Sequence, residues 1–169
     1  ANWWGKTKEM LILKNVLKKM PNLTFYWAGD GPYTKKIVEE LKEFKNFQWL
    51  GRLQYPEEVS KFLSSIDVYA LISGMDLAPL TLKEAQLMEK PVIATNVGGI
   101  YEMMEDRKTG FLVKENNPED LIEKLTILLD DENLRNKMGI NGKQFVINKF
   151  NWNIIGKNFI KNIEPYINK

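Results

Sequence analysis

Residues 73–99 carry the side chains best suited to chemistry. Asp76 and Glu84 stand at either end of a polar loop that leads into a short predicted helix, and an apolar strand and a Gly98-Gly99 turn follow. Carboxylates accept hydrogen bonds from hydroxyl groups, and helix N-termini offer free N–H groups to anions. In an open α/β sheet both kinds of group meet beyond the carboxyl ends of the strands. The pattern predicts a site for a ligand with hydroxyl groups and negative charge.

Glu84 has two interpretations. It lies in the second turn of the predicted helix beside apolar residues, so its carboxylate needs a partner. A ribose diol would supply two hydroxyl groups. The alternative is an exposed helix glutamate paired with Lys83 or Lys90, which contributes little to stability. The residues alone leave both interpretations open.

Two glycine-containing turns could bring backbone N–H groups to a ligand. AGDGP at residues 28–32 follows an apolar run, and Gly98-Gly99 precedes Glu102 at a short predicted helical turn. Glycine lets a ligand approach the backbone, but any turn with a positive φ also favours it. For residues 28–32 the structural role weighs more. For Gly98-Gly99, anion binding and a turn capped by Glu102 stay open alternatives.

Composition narrows the classes of function. The 169 residues are 44% hydrophobic and 27% charged, which predicts a single globular domain over residues 1–169. A net charge of +2 does not favour nucleic-acid binding. The absence of Cys and His excludes thiol nucleophiles, Cys/His zinc sites and Ser-His-Asp machinery within this chain. No apolar run reaches the ~20 residues of a membrane span, and we expect a cytoplasmic fragment of a longer protein.

Apolar runs alternate with helical periods along the chain. Strands are predicted near residues 23–28, 47–50, 67–72, 91–95 and 110–113, and helices over 7–20, 33–44, 56–64, 81–88, from 117 onward, 131–149 and 152–167. A short helical turn is expected at 99–104. Alternating strands and helices predict an α/β fold with a parallel sheet covered on both faces. Packing rather than ligand stacking is expected of the aromatic residues Phe25, Tyr26, Trp27, Trp49 and Trp152.

Taken in order, these motifs resemble the C-terminal, donor-binding domain of the retaining glycosyltransferases of family 4. The matching segments are Lys8 with the helix after it, AGDGP at 28–32, FQWLG at 47–51, IDVYALIS at 66–73, EAQLMEKPVIAT at 84–95, NVGGIYE at 96–102, TGFLV at 109–113 and FNW at 150–152. The resemblance spans almost the whole chain. It implies a Rossmann-like parallel sheet flanked by helices, one half of a GT-B enzyme whose N-terminal acceptor domain lies outside residues 1–169.

The resemblance also implies roles for the candidate residues. Glu84 is the second acid of the family's Glu-x7-Glu motif and would hold the ribose hydroxyls, while Asp76 stands at the first acid position, near the transferred sugar. Lys8 would meet the diphosphate, with Lys6 in support. The remaining positions implied to contact the donor through their backbone are Gly31, Leu50, Gly51, Leu80, Thr81, Gly98 and Gly99.

The activity implied is hexosyl transfer from a nucleotide-diphosphate sugar with retention of configuration. No metal or other cofactor is expected, because the chain has no Asp-x-Asp motif and lysines and helix N-termini can stabilise the leaving group. The expected partners are the donor and the N-terminal acceptor domain, with no nucleic acid. Peripheral membrane association of the full-length protein is compatible with this scheme. Residues 1–169 alone should bind donor without turnover.

Three departures from the family pattern favour an alternative. Asp76 is one methylene shorter than the usual Glu, and Pro79 replaces a glycine and has no N–H to donate. The arginine expected shortly before Lys8 is missing, and Lys6 could replace it only as a point charge without Arg's bidentate fork. The chain could therefore be a degenerate, non-catalytic nucleotide- or sugar-binding module. A nucleotide-sugar epimerase of the same architecture is a further alternative. A dehydrogenase is disfavoured because no G-x-G-x-x-G follows the first strand.

Overall fold

The computed structural model describes residues 9–167, and in that range helices and strands alternate. The elements are α1 (Leu13–Lys19), β1 (Phe25–Ala28), α2 (Thr34–Leu41), β2 (Phe47–Gly51), α3 (Glu57–Ser65), β3 (Tyr69–Leu71), α4 (Leu80–Leu87), β4 (Val92–Thr95), β5 (Gly110–Val113), α5 (Pro118–Asp130), α6 (Glu132–Phe150) and α7 (Trp152–Ile167). A 3-10 turn at Ile100–Glu102 lies between β4 and β5. The predicted order of elements is confirmed.

The strands form two parallel groups. β1 pairs with β2, and a second sheet has the order β3-β4-β5. In the second sheet Tyr69 lies opposite Val92, and Val92 lies opposite Gly110. Because all pairs are parallel, the carboxyl ends of the strands within each sheet face the same edge, where the loops after β3 and β4 meet.

Helices cover both faces of the larger sheet. Along β4, Ile93 belongs to one buried apolar cluster, which includes residues of α1 and α5, while Val92 and Ala94 belong to another, which includes residues of α3 and α4. Successive side chains of a strand point to opposite faces. The two clusters therefore lie on opposite sides of β4, and the predicted α/β fold with helices on both faces is confirmed.

The signal at residue 117 starts a helix as predicted. The Asn117 side chain accepts a hydrogen bond from the Asp120 N–H at 2.9 Å, and Pro118 occupies the first turn of α5. The next helix, α6, is capped in the same way, because the Asp131 carboxylate accepts from the Leu134 N–H at 2.9 Å. Such caps satisfy backbone donors that a helix leaves unpaired.

The prediction that the aromatic residues pack inside the protein is only partly confirmed. Phe25 stacks on Phe47 with ring centroids 6.4 Å apart. Tyr26 and Trp49 are 41% and 44% exposed, and Trp152 is 84% exposed. Trp152 begins α7, which has no buried residue, so the described part of the chain offers it no core to enter. Within residues 9–167 no helix is long and apolar enough to cross a membrane.

Candidate functional site

The loop that carries Asp76 is anchored to the end of β4. The Ser73 N–H donates to Thr95 Oγ1 at 3.0 Å, and the Thr95 hydroxyl donates to the Ser73 carbonyl oxygen at 2.5 Å. The Ser73 hydroxyl in turn donates to the Met75 carbonyl oxygen at 3.0 Å. Ser73 and Thr95 are both buried. The loop is therefore held in place before the chain reaches Asp76.

The Gly98-Gly99 turn packs directly against this loop. A Cβ atom on Gly98 would lie 1.9 Å from the Asp76 carbonyl oxygen, and one on Gly99 would lie 2.2 Å from the Leu77 carbonyl oxygen. Gly98 also has a φ of +55°. The Gly99 N–H donates to the Asp76 carbonyl oxygen at 3.0 Å. This N–H is therefore not free for a phosphate or sugar, and in this structure both glycines serve the close approach of two loops.

Glu102 does not cap the turn that follows. The 3-10 turn at Ile100–Glu102 has no side-chain cap. The Glu102 carboxylate instead hydrogen-bonds with the neighbouring Tyr101 phenol, and this contact raises the pKa of Tyr101 above its ordinary value. Both side chains are exposed. Of the two alternatives left open for this turn, capping by Glu102 is wrong.

Helix α4 presents Thr81 and Glu84 on one side. It begins after Pro79, which is extended (ψ 118°), and no side chain caps it. The N–H groups of its first turn therefore have no acceptor within the helix. Leu82 and Ala85 are fully buried, while the Leu80 side chain is 67% exposed. Residues three apart share a helix face, so Thr81 and Glu84 lie side by side next to the buried face, and both line the same cleft.

Tyr69 joins the candidate residues into one cluster. Its phenol on β3 hydrogen-bonds with the Thr81 side chain and lies within reach of the charges of Glu84 and Asp76. Burial, reinforced by those two negative charges, raises the pKa of Tyr69 to about 12. The phenol is therefore neutral over the physiological range. Sequence reasoning missed Tyr69; its only signal was an aromatic residue on the strand that precedes the Asp76 loop.

Glu84 is not engaged by the lysines proposed as its alternative partners. The Lys90 ammonium donates to the Ser64 carbonyl oxygen at 2.9 Å, and the Lys83 ammonium lies 4.7 Å from the centroid of the Phe150 ring. Among the residues that the structure describes, Glu84 forms no salt bridge. Neither of the two lysines proposed as alternative partners therefore pairs with its carboxylate.

A cleft of about 480 Å³ opens beside Thr81 and Glu84. Its rim at the carboxyl ends of the strands also includes Gly29 and Arg52, and its body runs between β1 and β3. Arg52 follows β2 directly and has no ion-pair partner within residues 9–167. Sequence reasoning also missed this guanidinium, although its position just after a strand was a usable signal.

The AGDGP turn is held by its own hydrogen bonds. The Gly31 N–H donates to Asp30 Oδ1 at 2.7 Å, the Gly29 N–H donates to the Gly51 carbonyl oxygen at 2.7 Å, and Trp49 Nε1 donates to the Gly29 carbonyl oxygen at 2.9 Å. Gly29 and Gly51 have φ values of +135° and +73°. The Gly31 N–H is thus not free, and the structural interpretation of this turn is favoured. Lys6 and Lys8 lie outside the described residues.

Comparison with known proteins places this geometry in context. The chain is 35% identical over 147 residues to an uncharacterized glycosyltransferase of Methanocaldococcus jannaschii, a match that covers 86% of this chain and 41% of that protein. It is 32% identical over 151 residues to a sulfoquinovosyl transferase of Arabidopsis thaliana, covering 88% of this chain and 29% of that protein. The chain therefore spans less than half the length of these relatives.

Solved structures share the fold. The crystal structure of Anabaena HepE in complex with UDP and glucose superimposes with a TM-score of 0.80 at 19% identity, covering 95% of this chain and 45% of that chain. A glycosyltransferase from Rickettsia africae gives a TM-score of 0.79 at 26% identity over 100% of this chain and 46% of that chain. The family model for glycosyl transferases group 1 matches residues 8–145. This chain belongs to the glycosyl transferases group 1 family.

Proposed function

We propose that this domain binds a nucleotide-diphosphate sugar and supports hexosyl transfer with retention of configuration. The observation that carries the proposal is the cluster of Tyr69, Asp76, Thr81 and Glu84 at one edge of the sheet. Glu84 has no salt-bridge partner among residues 9–167. A carboxylate in that position can accept hydrogen bonds from both hydroxyls of a ribose, which a lysine-paired carboxylate could not do as readily.

The leaving group requires positive potential. The first-turn N–H groups of α4, at Leu80 and Thr81, and the guanidinium of Arg52 lie at the same edge as Glu84, and Lys8 with Lys6 would add charge from the segment before α1. Such groups stabilise the diphosphate as the bond to the sugar breaks through an oxocarbenium-like transition state. Asp76 would lie near the transferred sugar. No step of this scheme requires a metal ion.

The relatives suggest which nucleotide to test first. The Anabaena protein was solved with UDP and glucose, and the plant relative is a sulfoquinovosyl transferase. We therefore expect a uridine nucleotide to bind better than a guanosine or adenosine nucleotide. Residues 1–169 would bind the donor without turnover, because the acceptor site would lie on an N-terminal domain.

Calorimetric titration with UDP, GDP and ADP tests the binding step. We expect Glu84→Gln to weaken nucleotide binding at least about tenfold, or 1.4 kcal/mol, with an unchanged melting temperature. Glu102→Gln is the matched control, because Glu102 is an acid of the neighbouring turn that lies outside the cluster, and it should bind like the parent. Absence of heat for all three nucleotides would favour the degenerate module, and a lower melting temperature with intact binding would make Glu84 structural.

Stereochemistry tests the reaction. With the full-length protein, the anomeric configuration of the product can be read by NMR from the coupling constant of the new linkage. Retention supports the proposal, and inversion contradicts it. Release of free sugar in the absence of acceptor would instead point to an epimerase of the same architecture.

A further inference from the structure

Helix α4 begins without a side-chain cap, although the proposed function assigns its first turn to a diphosphate. The residue at its N-cap position, Pro79, has no side-chain oxygen that could accept a hydrogen bond from the helix. The N–H groups of Leu80, Thr81 and Leu82 also have no acceptor within the helix. Leu80 is 67% exposed, whereas Leu82 and Ala85 are fully buried. Packing therefore holds only the inner side of this turn.

Tyr69 connects the uncapped turn to the sheet. It belongs to β3, and its side chain packs against the buried apolar cluster that contains Leu82 and Ala85 of α4. Its phenol hydrogen-bonds with the Thr81 side chain. Tyr69, Thr81 and Glu84 all line the cleft. The bond between Tyr69 and Thr81 therefore ties the first turn of α4 to the strand beneath it, at the wall of the candidate site.

The Thr81 hydroxyl would have a competing use without this bond. Threonine side chains can hydrogen-bond to neighbouring backbone groups, and the neighbouring donors here are the N–H groups that a diphosphate needs. Tyr69 holds the hydroxyl in a bond to the sheet instead. Because the pKa of Tyr69 is raised to about 12 by burial and by the charges of Glu84 and Asp76, the phenol adds no negative charge beside an anion site. A group with this pKa is also a poor proton donor or acceptor at neutral pH, which favours a holding role over proton transfer.

We propose that Tyr69 is a positioning residue of the donor site and that it acts through Thr81, by holding the first turn of α4 towards the diphosphate. This role rests on the proposed function and adds to it a residue that acts on the helix and not on the ligand. The Tyr69 phenol should then matter only while the Thr81 hydroxyl is present. It should also matter only for a ligand that carries the diphosphate. The first condition excludes direct contact with the ligand, and the second excludes a purely structural role.

Binding measurements on the full chain test both conditions. The ligands are whichever of UDP, GDP and ADP the parent binds best, titrated by calorimetry, and the corresponding nucleoside, titrated by NMR. Tyr69→Phe should weaken diphosphate binding about five- to tenfold, the effect of one lost hydrogen bond, and should change nucleoside binding by less than about twofold. In a Thr81→Val background, Tyr69→Phe should cause no further loss, whereas two independent residues would lose the same factor again.

Two variants serve as matched controls. Thr81→Ser keeps a hydroxyl that can bond to Tyr69. Tyr26→Phe removes the phenol of a second tyrosine that lines the same cleft, from β1. Both should bind the diphosphate like the parent, and the melting temperature of each variant reports whether it is folded during the titration.

Three results would overturn this role of Tyr69 and leave the proposed function intact. They are unchanged diphosphate binding by Tyr69→Phe, an equal loss for the nucleoside, and a further loss in the Thr81→Val background, which would show direct contact between the phenol and the ligand. If Tyr69→Phe is unfolded, Thr81→Val breaks the same bond from the other side, and equal losses for both ligands would then overturn the role. If the parent binds none of the three nucleotides, the proposed function itself fails, and the role of Tyr69 with it.

Discussion

The β3-β4-β5 sheet and the β1-β2 pair use glycine for different reasons. In the larger sheet, Cβ atoms on Gly98, Gly99 and Gly110 would lie 1.9, 2.2 and 1.8 Å from backbone oxygen atoms. In the smaller pair, Gly29, Gly31 and Gly51 have no neighbouring atom within 4 Å of such a position. Packing therefore requires glycine at the first three positions. In the smaller pair, the positive φ of Gly29 and Gly51 favours glycine, and nothing in the structure requires it at Gly31. A glycine motif therefore indicates a ligand only after these two roles have been separated.

The strands of the two sheets also differ in burial. All four residues of β4 are buried, whereas β2 has a single buried residue, Phe47. The loops that hold Asp76 and Gly98 rest on the buried sheet and are fixed by hydrogen bonds to Thr95 and by close backbone contact. The Tyr69, Asp76, Thr81 and Glu84 part of the candidate site thus stands on the more buried sheet, whereas Arg52 follows the exposed strand β2; rigid elements are the better support for the positioning of a reactive group. The following predictions test that comparison, from the largest expected effect to the smallest.

The largest difference is expected between two glycine substitutions. Gly98→Ala should lower the free energy of unfolding by more than ~3 kcal/mol, because the new Cβ would overlap the Asp76 carbonyl oxygen and the residue has a positive φ. Gly31→Ala is the matched control and should change it by less than ~0.5 kcal/mol. Urea denaturation of both variants measures the effect. Equal losses would remove the distinction between the two halves.

Loss of a hydrogen bond should also lower stability more at the larger sheet than at the β1-β2 pair. Thr95→Val deletes a buried hydroxyl that both accepts from and donates to Ser73, so we expect a loss of about 2–3 kcal/mol. Trp49→Phe deletes one partly exposed bond to the Gly29 carbonyl oxygen and should cost about 1 kcal/mol. Thermal or urea unfolding gives both values. A larger loss for Trp49→Phe would contradict the assignment of rigidity to the larger sheet.

The free energy of unfolding should depend on pH through the phenol of Tyr69. Its pKa is raised from 10.0 to about 12 in the folded protein, so its contribution to stability is complete below pH 10 and is lost as the pH rises from 10 to 12. At pH 11 the parent should have lost about 1.4 kcal/mol that Tyr69→Phe keeps. The measurement is the difference in unfolding free energy between parent and variant at pH 8 and pH 11. A constant difference would show that the phenol is not held neutral.

The smallest change in stability is expected from Glu9→Gln. Burial, with the charge of Glu115, raises the pKa of the Glu9 carboxyl above the ordinary value, and its Oε2 has no hydrogen-bond partner in the part of the chain that the structure describes. The ionised form is therefore disfavoured by folding at neutral pH. Glu9→Gln should raise the melting temperature at pH 7, and the gain should vanish as the pH falls and the carboxyl becomes protonated in both states.

Glu119→Gln is the control for that pH dependence. The ammonium of Lys19, 2.9 Å from Glu119 Oε1, holds the pKa of this exposed carboxyl below its ordinary value. Its contribution is present at neutral pH and is lost as the pH falls, so the substitution should cause a slight loss at pH 7 and none in acid. A gain for Glu119→Gln comparable to that for Glu9→Gln would show that the effect is general charge reduction.

Most of the elements could be read from the sequence because their signals are local. The apolar run at 91–95 and the helix start at Asn117 depend on neighbouring residues, and both appear in the structure within a residue or two. The exposure of Trp152 could not be read, because it depends on whether another element covers α7. The absence of pairing between β1 and β3 also could not be predicted from the sequence, since strand pairing joins residues far apart in the chain.

The sequence by itself determined the alternation of strands and helices and the order of motifs, and with them the family. The tertiary structure decided which of the candidate polar groups already have a partner within the protein. The Gly99 N–H is engaged by the Asp76 carbonyl oxygen and the Gly31 N–H by Asp30. Glu84 pairs with no lysine of the described residues 9–167 and has Tyr69 as a neighbour, which bonds to Thr81. The physical reason is that a backbone period is set by adjacent residues, whereas the partner of a polar group is set by packing between distant segments.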